Sequence, residues 1–202
     1  VYAHTMFLGG GFGGNGAGGT AVTRQAAELS KQLGKPVKVL WTREEDLAQD
    51  KQRPLSMNRL TASIGDKGLP EALTSRGVWF SIDGINQIGP ATADYAVANM
   101  PYQIAHRHHE RHNAKTHIPS STHRAPGANQ HAFFTEVFAD EMALAGGWNP
   151  LDWRIELTKH RPDYQRVLNT LKDKANFRVG LPKGEGMGVA VAECHGTIAA
   201  AC

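Results

Sequence analysis

The sequence predicts an α+β fold with mixed sheets and packed helices, because strand-like and helix-like segments are segregated along the chain rather than strictly alternating. Most strand-like segments precede residue 118, and three helix-like segments follow one another after residue 128. The chain has 202 residues, 41% of them hydrophobic, and is long enough to bury a sizeable core. We expect residues 1–202 to form one region, with two subdomains at about 1–118 and 119–202 as the alternative to a single unit.

The first 118 residues contain segments typical of strands, one helix and two loops. Thr20 is the predicted N-cap of a helix that runs to Leu33 and ends at Gly34. Residues 65–68 have the composition of a hairpin turn, so the strands on either side should pair. An acidic run at residues 43–46 is followed by a polar connection to Pro54. Glycine, proline, alanine and asparagine make residues 84–101 loop-like. The predicted strands are residues 1–8, 36–41, 57–64, 73–82 and 102–117, the last as one strand or two.

Helices dominate the remainder of the chain. Residues 119–127 are predicted to form a loop, and Pro150 and Pro162 suit the starts of the second and third helices that follow it. A turn-rich link over residues 180–186 leads to strand-like residues 187–201. The predicted helices are residues 129–147, 150–160 and 163–175. In the first of them, one wide apolar stripe is predicted from Phe133, Phe134, Val137, Phe138, Met142 and Leu144.

A glycine-rich loop, Leu8–Gly19, connects the first strand-like segment to the first helix-like segment. It holds eight glycines in twelve positions, and bare amides in such a turn before a helix form a cradle for an anion. The spacing Gly9-x-Gly11-x-x-Gly14 matches a dinucleotide-binding fingerprint, although Phe12 is awkward in that turn. No Gly-Lys-Ser/Thr follows, which disfavours a Walker loop. A flexible connection without a ligand is the remaining alternative.

Six histidines occur between residues 106 and 123. Alternate positions in a strand could bring two imidazoles to one face and bind zinc or copper. However, no cysteine accompanies them and their spacing fits no closed set of ligands, so we predict a polar strand or loop without metal ligands. The histidines are His106, His108, His109, His112, His117 and His123.

A second candidate anion-binding loop, His123–Gln130, precedes the longest predicted helix. Arg124 can bind a phosphate or carboxylate through two parallel hydrogen bonds, and the helix start exposes free amides. The alternative is an ordinary helix start with a surface arginine. Two such loops in one domain suit a ligand that has both a phosphate and extended hydrogen-bonding edges.

Five segments in the same order make the sequence resemble the large, molybdopterin-binding subunit of the xanthine dehydrogenase and aldehyde oxidase family. The glycine loop at Phe7–Gly14 and the loop at Thr122–Gly127 resemble two loops of that family. The other similar segments are Pro36–Asp46, Glu136–Ala145 with Asn149–Arg154, and Gly184–Val191. The resemblance covers nearly the whole chain, and the branch of isoquinoline 1-oxidoreductase β-subunits and related periplasmic aldehyde dehydrogenases looks nearest.

This resemblance implies a molybdenum hydroxylase that oxidises an aldehyde or an N-heterocyclic carbon with oxygen from water. The implied cofactor is molybdenum held by a pyranopterin, in this branch as molybdopterin cytosine dinucleotide. Electrons are implied to pass to a partner small subunit with [2Fe-2S] clusters, and in this branch often to a c-type cytochrome. The branch also suggests a periplasmic location, with the cytoplasm as the alternative. Because Val1 begins and Cys202 ends within apolar patterns, we expect a piece of a longer polypeptide that is inactive alone.

The resemblance also implies roles for individual residues. In the family, the Phe-Gly of the glycine loop offers backbone amides near the metal's oxygen ligand, a role that maps onto Phe12 and Gly13. The family's loop arginine, near the substrate, maps onto Arg124, the implied catalytic residue. Preorganised amides and a guanidinium stabilise charge that develops on oxygen. The general base of the family, a glutamate, would lie beyond Cys202. The implied cofactor-binding residues are Gly11, Phe12, Gly13, Gly14, Arg124, Ala125 and Gly127.

Some features narrow or compete with this interpretation. Many family members continue the glycine loop with Lys-Glu, whereas Asn15 and Gly16 stand here, which disfavours purine-type substrates. The formal charge of +3 is spread along the chain and gives no support for nucleic-acid binding. No apolar run is long enough to span a bilayer. The competing hypotheses are a dinucleotide-binding oxidoreductase domain of the Rossmann type and a non-catalytic docking module.

Overall fold

The structure is a computed structural model that describes residues 2–4, 6–7, 9–10, 20–80, 95–121, 123–125 and 127–202. Across these ranges the strands form one three-stranded sheet and one two-stranded sheet, with helices packed beside them. This arrangement confirms the predicted α+β class. Within the same ranges, no helix is both long enough and apolar enough to cross a membrane.

The first helix has its predicted bounds, but the strand predicted after it is wrong. Helix α1 comprises Thr20–Leu33, and residues 36–41 adopt no regular structure. A short helix, α2 (Arg43–Gln49), follows where a polar connection is predicted. Thr42 caps α2, because its hydroxyl accepts a hydrogen bond of 3.2 Å from the amide of Glu45. The strand that a dinucleotide-binding unit needs after its first helix is therefore not formed at residues 36–41.

The three-stranded sheet has the order β1-β2-β3. Strands β1 (Ser56–Ile64) and β2 (Pro70–Phe80) form the predicted antiparallel hairpin. Strand β3 (His106–Ala114) pairs with β2 in parallel, which confirms a single strand within residues 102–117. A short helix, α3 (Tyr95–Ala98), lies in the connection between β2 and β3, inside a segment predicted as loop. Burial alternates along β2, so one face of the sheet packs against the core and the other is exposed.

The remainder of the chain contains the predicted helices and ends in a β-hairpin. The helices are α4 (Ala128–Ala145), α5 (Pro150–Leu157) and α6 (Pro162–Ala175), and the strands are β4 (Ala190–Cys194) and β5 (Thr197–Ala201). Asn149 caps α5 by accepting a hydrogen bond of 2.9 Å from the amide of Leu151. Strands β4 and β5 are antiparallel and are joined by His195 and Gly196, with φ of 51° and 78°. Two successive positive φ angles are typical of the tightest hairpin turns.

The core lies between the inner face of the three-stranded sheet, the helices α4, α5 and α6, and strand β4. Tyr102 and Trp153, both fully buried, meet edge to face with ring centroids 4.9 Å apart. Around them, the buried apolar cluster comprises Leu73, Val97, Met100, Ile104, Ala139, Met142, Ala143, Leu151, Leu157, Tyr164, Leu168, Val189 and Val191.

The apolar stripe predicted for α4 is only partly correct. Phe133, Val137 and Leu144 have exposed fractions of 66%, 43% and 63%. The buried side of the helix instead comprises Thr135, Glu136, Ala139, Met142 and Ala143. Hydrophobic periodicity does not detect this face, because one of its central positions is a carboxylate that pairs with an arginine in the core.

The turn of the β1–β2 hairpin packs against the C-terminal end of α4. A β-carbon on Gly146 would overlap the carbonyl oxygen of Gly68, so the two backbones are in direct contact. Gly68 also has a φ of 70°, a left-handed conformation that favours glycine. Nearby, Trp148 Nε1 donates a hydrogen bond of 3.0 Å to the carbonyl of Lys67. These contacts fix the sheet on the helix.

Candidate functional site

The structure describes three of the seven predicted cofactor-binding residues. Arg124, Ala125 and Gly127 lie directly before α4. The other four, Gly11, Phe12, Gly13 and Gly14, lie outside the described residues, so their role stays a prediction. At residues 2–4 and 6–7, which belong to the first predicted strand, no strand is formed.

The loop before α4 bends through two left-handed residues. Ala125 has a φ of 57° and Gly127 a φ of 71°, and a residue with a β-carbon rarely adopts this conformation. Gly127 is the buried N-cap of α4 and, as glycine, provides no side-chain cap. The first turn of α4 also contains no acidic residue. The positive end of the helix is therefore left without a carboxylate or hydroxyl of its own cap, which suits an anionic or oxygen-rich group.

Arg124 is held through its backbone while its side chain remains exposed. The carbonyl of Arg124 accepts a hydrogen bond of 3.0 Å from Arg53 Nη2. An arginine on a loop whose backbone is fixed can present its guanidinium to a carboxylate, a phosphate or a developing oxyanion.

Residues 51–54, here called the brace segment, run beside the loop at residues 119–130. Gln52 forms a parallel bridge with the loop: its amide donates to the carbonyl of Pro119 at 2.8 Å, and its carbonyl accepts from the amide of Ser121 at 3.0 Å. Three side-chain contacts complete the brace: Arg53 to the Arg124 carbonyl, His123 Nε2 to the Lys51 carbonyl at 2.9 Å, and Gln130 Nε2 to the Pro54 carbonyl at 2.9 Å. The sequence predicts only a polar connection here, because partners some 70 residues apart leave no local pattern.

Four of the six clustered histidines lie in β3. His106, His108 and His112 lie on the exposed face of the strand, whereas His109 lies on the inner face with Nδ1 2.8 Å from Ser75 Oγ. In the described part of the chain, no group of three or more His, Cys, Asp or Glu side chains could hold a metal ion.

Glu110 organises the exposed face of β3. Its carboxylate accepts a hydrogen bond from Arg76 Nε of the neighbouring strand and lies 3.2 Å from His108 Nε2. The hydrogen bonds from Arg76 and His108 lower the pKa of Glu110 to about 2. This cluster is a surface ion pair with histidine neighbours.

A buried charge network joins α4, α5 and β4. Arg154 of α5 donates to the Glu136 carboxylate at 2.9 Å, and the Arg154 and Glu136 side chains have exposed fractions of only 0% and 5%. The same carboxylate accepts hydrogen bonds from the Tyr102 hydroxyl at 2.7 Å and from the Val191 amide at 2.8 Å. Arg154 also donates to Asp140 at 2.6 Å. The two resembling segments that contain Glu136 and Arg154 therefore meet in the core.

Burial and the neighbouring charges together set the pKa values in this network. Burial raises the pKa of Glu136, against the opposing effects of the Arg154 charge and the Val191 amide. It also raises the pKa of Tyr102 well above its ordinary value, with the Glu136 charge acting in the same direction. For Arg154, burial acts to lower the pKa, but the surrounding acidic groups outweigh it and raise the pKa. Arg154 is therefore a permanent cation inside the core.

A cleft of about 330 Å³ begins at the first turn of α4. Ala128 and Ala132 of α4 form one wall, and the β4–β5 turn forms another. At its rim, Glu193 Oε2 accepts hydrogen bonds from the Tyr164 hydroxyl at 3.1 Å and from Arg161 Nη2 at 3.3 Å. On the helix side the cleft runs from Ala128, the first residue of α4, past Ala132 to Thr135 and Glu136.

These features can be tested against the cofactor that the resemblance implies. A pyranopterin dithiolene nucleotide carries phosphates and many hydrogen-bond acceptors. The first turn of α4, which has no side-chain cap, and the guanidinium of Arg124 offer donors and positive charge to such a group. They lie on either side of the left-handed turn at Ala125 and Gly127. The described donors therefore fit it.

Comparison with known proteins places the chain in a family. The family model described as a molybdopterin cofactor-binding domain matches residues 1–156. The chain therefore belongs to this family, the molybdopterin-binding region of the molybdenum hydroxylases, which confirms the predicted relationship.

Three known proteins are similar to this chain. The chain is 24% identical over 200 residues to the isoquinoline 1-oxidoreductase subunit beta of Brevundimonas diminuta, which corresponds to 94% of this chain and 25% of that protein. The chain thus spans about a quarter of the length of this relative. The crystal structure of quinoline 2-oxidoreductase from Pseudomonas putida 86 is similar in fold, with a TM-score of 0.64 and 18% identity over 76% of this chain and 22% of that one. Aldehyde oxidoreductase from Desulfovibrio gigas has a TM-score of 0.49 and 18% identity over 62% of this chain and 15% of that one.

Proposed function

We propose that this chain is the part of a molybdenum hydroxylase that holds the pterin cofactor beside the substrate, an aldehyde or an N-heteroaromatic compound. The observation that carries the proposal is the loop at residues 123–127, which is braced from residues 51–54 and leads into an uncapped helix. Its exposed arginine and open helix start provide donors in the segment that the family match covers.

The described residues would act by binding and orientation. The amide of Asn129 already donates to the Ala125 carbonyl at 3.2 Å, so other amides of the first turn of α4 would hold oxygen atoms of the cofactor. The helix dipole would favour negative charge on those oxygens. Arg124 would orient the substrate and stabilise negative charge that develops on its oxygen or nitrogen. The predicted contribution of Phe12 and Gly13, which lie outside the described residues, is a pair of backbone amides near the oxygen ligand of the metal.

When bound, the molybdenum centre would supply two-electron oxidation with oxygen derived from water. The cytosine dinucleotide form of the cofactor, a [2Fe-2S] subunit that accepts the electrons and a c-type cytochrome beyond it belong to the proposal. The relative named a subunit beta supports the existence of at least one companion subunit.

The first test is the content and activity of the protein at its natural full length. After purification from a host that makes the cofactor, we expect about one molybdenum and one pterin per chain, measured by elemental mass spectrometry and by fluorescence of the released, oxidised pterin. Arg124→Ala should lower kcat/KM for an aldehyde or N-heteroaromatic substrate by about a hundred- to a thousandfold, the effect of removing one oxyanion donor.

Arg59→Ala is the matched control, because Arg59 is an exposed arginine on β1 that belongs to neither loop. It should retain the activity of the unmodified protein. A bound nicotinamide or flavin in place of molybdenum would contradict the proposal and favour a dinucleotide-binding oxidoreductase. Full cofactor content with unchanged kcat/KM in Arg124→Ala would remove the role assigned to Arg124 and favour a docking function for the loop.

A further inference from the structure

We infer that the brace segment, residues 51–54, positions the loop at residues 119–130, which contains Arg124, and that Arg53 is the principal positioning residue of the segment. This inference rests on the proposed function for the identity of the ligand, but the contacts that support it lie within the protein. Arg53 would set the backbone of Arg124 before the ligand arrives, without itself touching the reacting atoms.

Every residue of the brace segment takes part. Within four consecutive positions, the Lys51 carbonyl, both backbone groups of Gln52, the Arg53 side chain and the Pro54 carbonyl all bond to residues of the loop. Such a run is unlike the scattered contacts of a surface connection. The brace segment therefore provides the loop at residues 119–130 with hydrogen-bond partners like those of a neighbouring strand. Most described residues of this loop have no regular structure of their own.

The brace segment is itself tied to rigid elements at both ends. On one side, the amide of Asp50 donates to the Asp46 carbonyl at 3.0 Å, which closes the end of α2. On the other side, the Leu55 carbonyl accepts a hydrogen bond of 3.1 Å from the amide of Phe80 in β2. A loop held from two regular elements keeps the geometry that preorganised binding requires.

Among the residues of the brace segment, Arg53 contacts the position directly before the left-handed turn. Its guanidinium donates to the carbonyl that precedes the left-handed Ala125. A left-handed alanine is unfavourable by itself and persists only when the surrounding contacts fix it. The hydrogen bond from a charged donor is stronger than one from a neutral donor, so its loss should release this turn.

The test compares Arg53→Met, Arg53→Lys and the control Arg59→Met in the full-length protein. The first measurement is hydrogen–deuterium exchange of peptides over residues 119–130, in protein made without the cofactor. We expect exchange there to be about tenfold faster in Arg53→Met, which corresponds to about 1.4 kcal/mol. Arg53→Lys should be intermediate, because a lysine ammonium is a charged donor but lacks the planar geometry with which the guanidinium reaches the Arg124 carbonyl. Exchange in β1 and β2 should be unchanged.

The second measurement uses cofactor-loaded protein and separates kcat from KM. We expect Arg53→Met to lower kcat about tenfold while its molybdenum content equals that of Arg59→Met, with partial recovery in Arg53→Lys. Equal exchange over residues 119–130 in Arg53→Met and Arg59→Met would overturn the inference. So would faster exchange spread equally over α2, β1 and β2, since that would indicate general destabilisation. If the unmodified protein contains no molybdenum, the proposed function fails, while the exchange experiment still decides whether Arg53 fixes the loop.

Discussion

Replacing Arg154 by methionine should destabilise the helical part of the protein more than any surface substitution. Arg154 donates four hydrogen bonds in the core: to the Glu136 carboxylate, the Glu136 carbonyl, the Asp140 carboxylate and the Pro150 carbonyl, at 2.9, 2.9, 2.6 and 3.0 Å. Methionine has a similar length and fills the space, but it provides neither charge nor donors. The Glu136 carboxylate would then be buried without a countercharge.

The loss of stability in Arg154→Met depends on the hydrogen bonds that the Glu136 carboxylate keeps. Tyr102 and the Val191 amide would still donate to it, so its oxygens would keep two of their three hydrogen bonds. The loss of the countercharge dominates, because removing one partner of a buried ion pair typically costs about 3–5 kcal/mol. Adding Glu136→Gln to Arg154→Met removes the uncompensated charge and should recover at least about 1 kcal/mol of this loss.

Native-state hydrogen exchange over residues 128–157 is the appropriate measurement, since it reports the opening of α4 and α5 within a longer protein. Arg166→Met, on the exposed side of α6, is the control and should change the opening free energy by no more than about 0.5 kcal/mol. The explanation is refuted if Arg154→Met costs less than about 1 kcal/mol, or if the double variant is no more stable than Arg154→Met alone.

The pH dependence gives an independent check on the same variant. Burial raises the pKa of Glu136 in the folded state, and Arg154 opposes this rise. Without Arg154, the folded-state pKa should therefore rise further above its unfolded value. A carboxyl with a raised pKa destabilises the fold increasingly as the pH rises from the unfolded value to the folded one. The difference in stability between Arg154→Met and the unmodified protein should thus narrow as the pH is lowered toward 4.5, the ordinary value for glutamic acid.

Two further predictions concern the sheet. Gly146→Ala should lower the free energy of unfolding by about 1–3 kcal/mol, because its β-carbon would overlap the Gly68 carbonyl. Gly186→Ala is the control: the space around Gly186 is open, so this substitution should be nearly neutral in the same exchange or melting measurement. Equal effects of the two substitutions would contradict the close contact. Arg76→Gln should raise the pKa of Glu110 from about 2 toward 4.5, measured by NMR of labelled carboxyl carbons. Because the folded-state pKa of Glu110 is lowered, the ion pair stabilises the fold above pH 4.5, and this contribution is lost as the pH falls toward 2. An unchanged pKa of Glu110 in Arg76→Gln would disprove the assigned cause.

Local signals in the sequence predicted the elements that depend on local chemistry. The helix start at Thr20, the turn at residues 65–68 and the prolines at 150 and 162 are each recognisable within a few residues, and the corresponding elements are formed. Residues 36–41 have the composition of a strand, but no strand in the described part of the chain pairs with them. Strand propensity describes a fit to a sheet surface and cannot supply the partner.

In the candidate site, too, local signals predict some residues, whereas long-range contacts determine others. Arg124 and Gly127 were predicted because a turn residue and a helix start are adjacent in sequence, and both lie at the start of α4. Arg53 was not predicted, because its hydrogen bond to Arg124 spans 71 residues and follows from the path of the whole chain. Glu136 was missed as a core residue for a related reason: a carboxylate within an apolar helix is read as exposed until its buried partner is known.

Helix α4 connects the candidate site to the buried charge network around Glu136 and Arg154. Its first turn forms one side of the candidate site, and Glu136, eight residues further along, is fixed by α5 and β4. Eight residues of helix span about 12 Å, so a tilt of about 5° at Glu136 would move the first turn by about 1 Å. A displacement of this size in a positioned group can reduce a rate about a hundredfold. The buried network therefore aligns the donors of α4 from a distance, and Arg154→Met should impair the site even where the helix remains folded.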